Sequence, residues 1–173
     1  MKERIIAKLS STIGFSPKAK AIKSTINFKA DAISRTSLQG AILQAKKIGF
    51  YPRTVIDVGA ASGSITETIA AIYPDAVFLM IEPLMEFTTD LKAVMHRTTN
   101  ARIISAAASD RNGTITLNVH EDLVGSSSYK EIEGLTEGSN VDGIERIVPS
   151  ITLNAVCKRE ETKGPYLIKV DVQ

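Results

Sequence analysis

The apolar and polar positions of this chain change period several times. Up to residue 35 the pattern is weakly helical and broken near Pro17 and Asp31. Ser37 then stands ahead of a helix over Leu38 to Lys47 that Gly49 and Pro52 stop. A hydroxyl there accepts an otherwise unpaired backbone N–H, and neither glycine nor proline continues a helix well. From Thr54 the period shortens. Thr54 to Val58 is a β-branched apolar run, Ile65, Ile69 and Ile72 return at helical spacing, Pro74-Asp75 turns the chain, and Val77 to Ile81 is apolar throughout. Phe87, Leu91, Val94 and Met95 mark a second helix, and Arg102 to Ser105 a third strand. The alternation predicts an α/β fold with a doubly wound, Rossmann-like parallel sheet, whose strand carboxyl ends share the edge where ligands of such folds bind.

Beyond Ser105 the texture changes. Asn112-Gly113 before an alternating run predicts a turn into an antiparallel strand. The stretch "EDLVGSSSYKEIEGLTEGSNVDGIERI" is rich in Ser, Gly and acid and reads as a long loop, either a lid or a disordered connector. "VPSITLNAV" predicts a strand leading into a short helix, and "PYLIKVDVQ" a buried strand ending in Asp171.

Composition adds bounds. At 173 residues, 43% apolar and 23% charged, the chain has the size and balance of one soluble globular domain. No apolar run reaches bilayer length, and "MKERIIAKLSS" is too polar for a secretory signal, so a cytoplasmic location is expected. The single Cys157 excludes an intrachain disulfide and reads as a small packed residue. Residues 1–50 hold ten Lys and Arg against Glu3 and Asp31, so that segment carries +8 and the remainder −6. The expected organisation is a basic helical extension over 1–36 and a ligand-binding domain over 37–173. Ile5, Leu9 and Ile13 at helical spacing leave a peripheral membrane contact open, beside the plainer reading of a solvated helix covering the core.

Candidate chemistry concentrates between Thr54 and Pro83. Glycines at 59 and 63 follow the first strand, where close approach of the backbone to a ligand excludes a side chain. Gly59-Ala60-Ala61-Ser62-Gly63 lacks the middle glycine of a dinucleotide fingerprint, which disfavours a pyrophosphate. Glu82 ends the second strand, where a carboxylate accepts hydrogen bonds from both hydroxyls of a ribose. Plainer roles compete: Asp57 as a turn cap, Glu82 as a solvated strand end. His120, Glu121 and Asp122 are adjacent on a strand and cannot converge on one metal, so no metal is expected.

The segments "VIDVGAASG", "IEP", "AAASDRNG" and "LIKVDVQ", in this order, resemble the successive motifs of the FkbM-type family of class I S-adenosylmethionine-dependent methyltransferases, over roughly Leu38 to Gln173. The resemblance implies a seven-stranded sheet binding S-adenosylmethionine across its strand ends. It maps the methionine-binding loop onto Gly59, Ala60, Ala61 and Gly63, with Asp57 reaching the amino group directly or through water. It assigns the ribose to Glu82, next to Pro83, and the adenine border to Ala107, Ala108 and the nearby Asp110. Asp171 stands at the methyl-transfer end, with His120 a weaker candidate base. The family's leaning implies O-methylation of a small-molecule hydroxyl acceptor.

In that family the last strand is followed by a glycine, an acidic residue, a helix and more strands. The 173-residue chain is therefore expected to be a shortened form lacking the C-terminal half of the sheet. Leu167, Ile168, Val170 and Val172 would then form an exposed edge open to self-association, with poor turnover by the chain alone. The rival readings are a non-catalytic module of the same fold and an RNA methyltransferase using the basic front segment. The second is disfavoured by the scarcity of aromatics there and the lack of an RNA-binding motif.

Overall fold

A strand covered on both faces must be apolar on both, and the first strand meets that condition except at Thr54 and Asp57. β1 (Thr54–Val58) is buried along its whole length, Asp57 included. In the computed structural model, which describes residues 33–34, 36–128 and 143–172, β1 lies between β2 (Val77–Ile81) and β7 (Tyr166–Val170). β3 (Ala101–Ile104) completes a parallel sheet in the order β3-β2-β1-β7. The chain runs outward from β1 to β3 and returns on the other side as β7, so a topological switch lies between β1 and β7.

Helices cover both faces, which is why β2 reads as an unbroken apolar run and β1 as one interrupted at Asp57. α1 (Leu38–Lys47) is capped by Ser37, whose Oγ accepts the Gly40 N–H at 3.0 Å. α2 (Ser64–Ile72) and α3 (Thr88–Arg97) pack Ile69, Ile72, Leu91 and Val94 against Val55, Phe78 and Met80, and Ile42 of α1 joins them. On the other face α4 (Leu153–Arg159) buries Val156 against Ile56, Val58, Leu79 and Ile81, with Cys157 partly buried beside them. All these elements belong to the unit Arg35–Gln173.

A second sheet stands apart from the first. β5 (Gly113–Val119) runs antiparallel to β6 (Ile144–Ile151), which pairs in parallel with the short β4 (Ala107–Ala108). Leu117, Val119 and Val148 pack with Leu84 and Ala107, so this sheet closes over the loop that leaves β2. Among the described residues, the seven strands are thus divided between a parallel sheet of four and a mixed sheet of three, not joined in one sheet. β3 starts one residue earlier than expected, because Ala101 pairs with Phe78, and β6 begins at Ile144, well before "VPSITLNAV".

Among the described residues β7 is the outer strand of the parallel sheet, so the reading of a buried strand is corrected. The exposed apolar edge is found at Ile168, Val170 and Val172 but not at Leu167, which packs on the core. Ile168 and Val170 are 49% and 64% exposed, and only the alternate residues Leu167 and Lys169 turn toward the face shared with Val55 and Asp57. The readings of residues 1–32 and of the centre of the Ser/Gly/acid-rich loop lie outside the described residues. Among the described residues no helix is long and apolar enough to cross a membrane.

Candidate active site

The loop between β1 and α2 is shaped by the protein around it. Gly59 has φ +71, and a Cβ there would strike the backbone carbonyl of Asp171 and reach Val172 Cγ1 at 3.0 Å. Gly63, at φ +78, caps α2, and its Cβ would lie 2.9 Å from Val94 Cγ2. The two glycines are therefore required by packing against the end of β7 and against α3, a reason independent of any ligand.

Four of the loop's backbone donors have partners within the protein. Gly59 and Ala60 donate to the Ile81 carbonyl, Gly63 to the Ala60 carbonyl, and Ala61 to Glu82 Oε2 at 2.9 Å. The N–H groups of these four residues are thus bonded within the protein, while Gly59 and Ala61 also line the cavity described below. Ala61 holds φ +45, an unfavourable conformation for an alanine by about 1 kcal/mol, and the hydrogen bond to Glu82 helps fix it.

Glu82 is buried, at 6% exposure, which removes the reading of a solvated strand end. Its Oε2 takes the Ala61 N–H and its Oε1 the Leu84 N–H at 3.0 Å. Burial is the largest influence and pushes its pKa up. The two backbone N–H groups and the charge of Lys169 pull it down, and Asp57 pushes it up again, leaving it above the ordinary value. Each carboxylate oxygen spends one lone pair on a backbone donor and keeps capacity for another.

Glu82 opens onto a cavity of about 220 Å³ at the carboxyl ends of β1 and β2. Gly59, Ala61 and Pro83 line one side of it, Ala107 and Ala108 another, and Asp171 its β7 end. Leu84, Phe87, Ile115 and Leu117 make an apolar wall, with Leu123, Val124, Ser126 and Ser128 contributed by the start of the long loop. A carboxylate with two acceptor positions, small residues facing an apolar wall, and loop N–H groups already committed suit a ribonucleoside without phosphates.

Other expected residues lie elsewhere. Asp57 does not line the cavity; Thr66 Oγ1 donates to its Oδ2 at 2.7 Å, and Lys169 Nζ stands 3.1 Å from its Oδ1. That ion pair is not aligned as a hydrogen bond, so Oδ1 has a charge partner but no hydrogen-bond donor among the described residues. Ala60 and Gly63 are buried behind the loop. Asp110 lies at the surface, outside the cavity lining: its carboxylate pairs with Arg111 at 3.1 Å, and that guanidinium holds its pKa below the usual range. His120 is also absent from the cavity wall, and its buried Nε2 has no hydrogen-bond partner among the described residues. Lys169 and Thr66, which hold Asp57, went unnoticed in the sequence; the parallel register of β1 with β7 is the signal that links Lys169 to it.

A family model described as a methyltransferase FkbM domain matches residues 57–173, from Asp57 through the loop, Glu82 and β7. Neither the curated proteins nor the solved structures hold a match to the chain.

Proposed function

Because this chain belongs to the FkbM methyltransferase family and is thereby an S-adenosylmethionine-dependent methyltransferase, we propose that it methylates a hydroxyl oxygen of a small molecule such as a sugar or secondary metabolite. The observation that carries the reading of the site is the buried Glu82, fixed by Ala61 and Leu84 and open to the cavity. Two hydroxyls on adjacent carbons of a ribose match its two remaining acceptor positions. Ala107 and Ala108, with the apolar wall of Leu84, Ile115 and Leu117, would hold the flat base.

Bound S-adenosylmethionine supplies a methyl group already activated by its sulfonium. The chain's own residues have the simpler tasks of orientation, exclusion of water and removal of a proton. As the acceptor oxygen gains the methyl group it must lose its hydrogen. Asp171, at the β7 end of the cavity with its side chain 79% exposed, is the carboxylate available to pass that proton to solvent. Ser126 and Ser128 offer hydroxyls that can orient a polar acceptor.

The test is to incubate the chain with S-adenosylmethionine and a panel of small alcohols, sugars, amines and RNA, following release of S-adenosylhomocysteine. Methylation confined to hydroxyl compounds is the expected result. Methylation of only amines or RNA overturns the choice of acceptor.

A further inference from the structure

Lys169 sits beside Asp57 in the parallel register of β7 and β1, with its side chain only 10% exposed. Its ammonium donates to the Gly59 carbonyl at 2.8 Å and the Val58 carbonyl at 3.4 Å. The same nitrogen lies 3.1 Å from Asp57 Oδ1 and 3.8 Å from Asp171 Oδ2. One buried cation therefore touches the first residue of the cavity loop, the carboxylate beneath that loop and the carboxylate at the β7 end of the cavity.

We propose that Lys169 is a positioning residue for the cofactor site: it fixes the Gly59 carbonyl and Asp171 relative to each other, and Asp57 supplies its buried counter-charge. This rests on the reading of the cavity as the S-adenosylmethionine site. An ammonium cannot be buried without partners, and Asp57, itself 1% exposed and tied to Thr66, supplies the opposite charge. Neutralising Asp57 is not enough to account for Lys169, because a buried ion pair can often be replaced by a neutral pair of similar volume with little loss. A neutral pair does not replace the charged donor to the Gly59 carbonyl. The charge also reaches Glu82, whose carboxyl is pulled down by Lys169 and pushed up by Asp57, so cation and counter-ion act on both halves of the cavity.

The experiment compares the full chain with Lys169→Met and with the charge-neutral double variant Asp57→Asn/Lys169→Met. It measures melting temperature and the affinity for S-adenosylhomocysteine by calorimetry. Lys169→Met should melt lower and bind at least about tenfold more weakly. The double variant should recover much of the melting temperature, because no uncompensated charge remains, while its affinity stays down by about the same factor. Affinity that recovers together with stability overturns the proposal, as does unchanged affinity in Lys169→Met. If the unsubstituted chain binds no S-adenosylhomocysteine, the reading of the cavity fails and this inference with it, an outcome distinct from binding that the variants leave intact.

Discussion

Glu82 Oε2 accepts the backbone N–H of Ala61 at 2.9 Å, so the carboxylate that ends the second strand also holds the loop that follows the first. A ligand on Glu82 therefore meets a group whose position is set from two strands at once. The cost is desolvation, which raises the pKa of Glu82 above its ordinary value of 4.5.

The raised pKa gives opposite pH dependences for folding and for binding. For a carboxyl whose folded pKa lies above the unfolded one, the contribution to stability is greatest below the unfolded value and is lost as pH rises through the folded value. Binding of ribose hydroxyls runs the other way, since protonation removes an acceptor position. Affinity for S-adenosylhomocysteine should hold at neutral pH and decline as pH falls through the raised pKa, at a higher pH than an ordinary glutamate would give. Calorimetric titrations across mildly acidic pH check this. A flat profile down to pH values at which an ordinary glutamate protonates contradicts it.

Thr66→Val should destabilise the fold by about 1–3 kcal/mol although it preserves shape, because it leaves Asp57 Oδ2 buried without its hydroxyl donor. Urea unfolding of the two proteins measures the difference. Coincident midpoints would mean that Lys169 alone satisfies Asp57.

Gly63→Ala should cost about 1–3 kcal/mol, combining a left-handed backbone with overlap against Val94 and Leu91 on α3. Gly59→Ala should cost more, because its Cβ meets the Asp171 backbone carbonyl, which cannot rotate aside as a side chain can. The ranking of the two by thermal melting is the check, and a Gly59→Ala protein as stable as the parent contradicts the packing account.

Much of this architecture was readable before the fold was known, where the cause is local. The Ser37 cap of α1, the apolar runs of β1 and β2 and the Asn112-Gly113 turn all follow from neighbouring residues, and each is found where the pattern put it. What escaped depends on partners distant in sequence. Lys169 stands among apolar residues in "LIKVDV", and only the pairing of β7 with β1 sets it beside Asp57. The glycines were read as space for a ligand; a second reason, invisible in the sequence, is that an added Cβ would meet α3 at Gly63 and the end of β7 at Gly59, which also lines the cavity. Asp110 shares a motif with Ala107 and Ala108, yet it lies past the end of β4, turned to Arg111 and solvent. The second sheet depends on β6, whose distance along the chain from β5 hides the pairing of Gly113 with Ser150.

The central claim is that Glu82 receives the ribose of S-adenosylmethionine. Its most direct test is a calorimetric titration of S-adenosylhomocysteine into the chain and into a Glu82→Ala variant whose folding is verified by thermal melting. The account predicts binding by the parent and a loss of about 2–3 kcal/mol or more in the variant, from two hydrogen bonds to a charged acceptor. An unchanged dissociation constant in a folded Glu82→Ala protein would contradict it and put the ribose elsewhere.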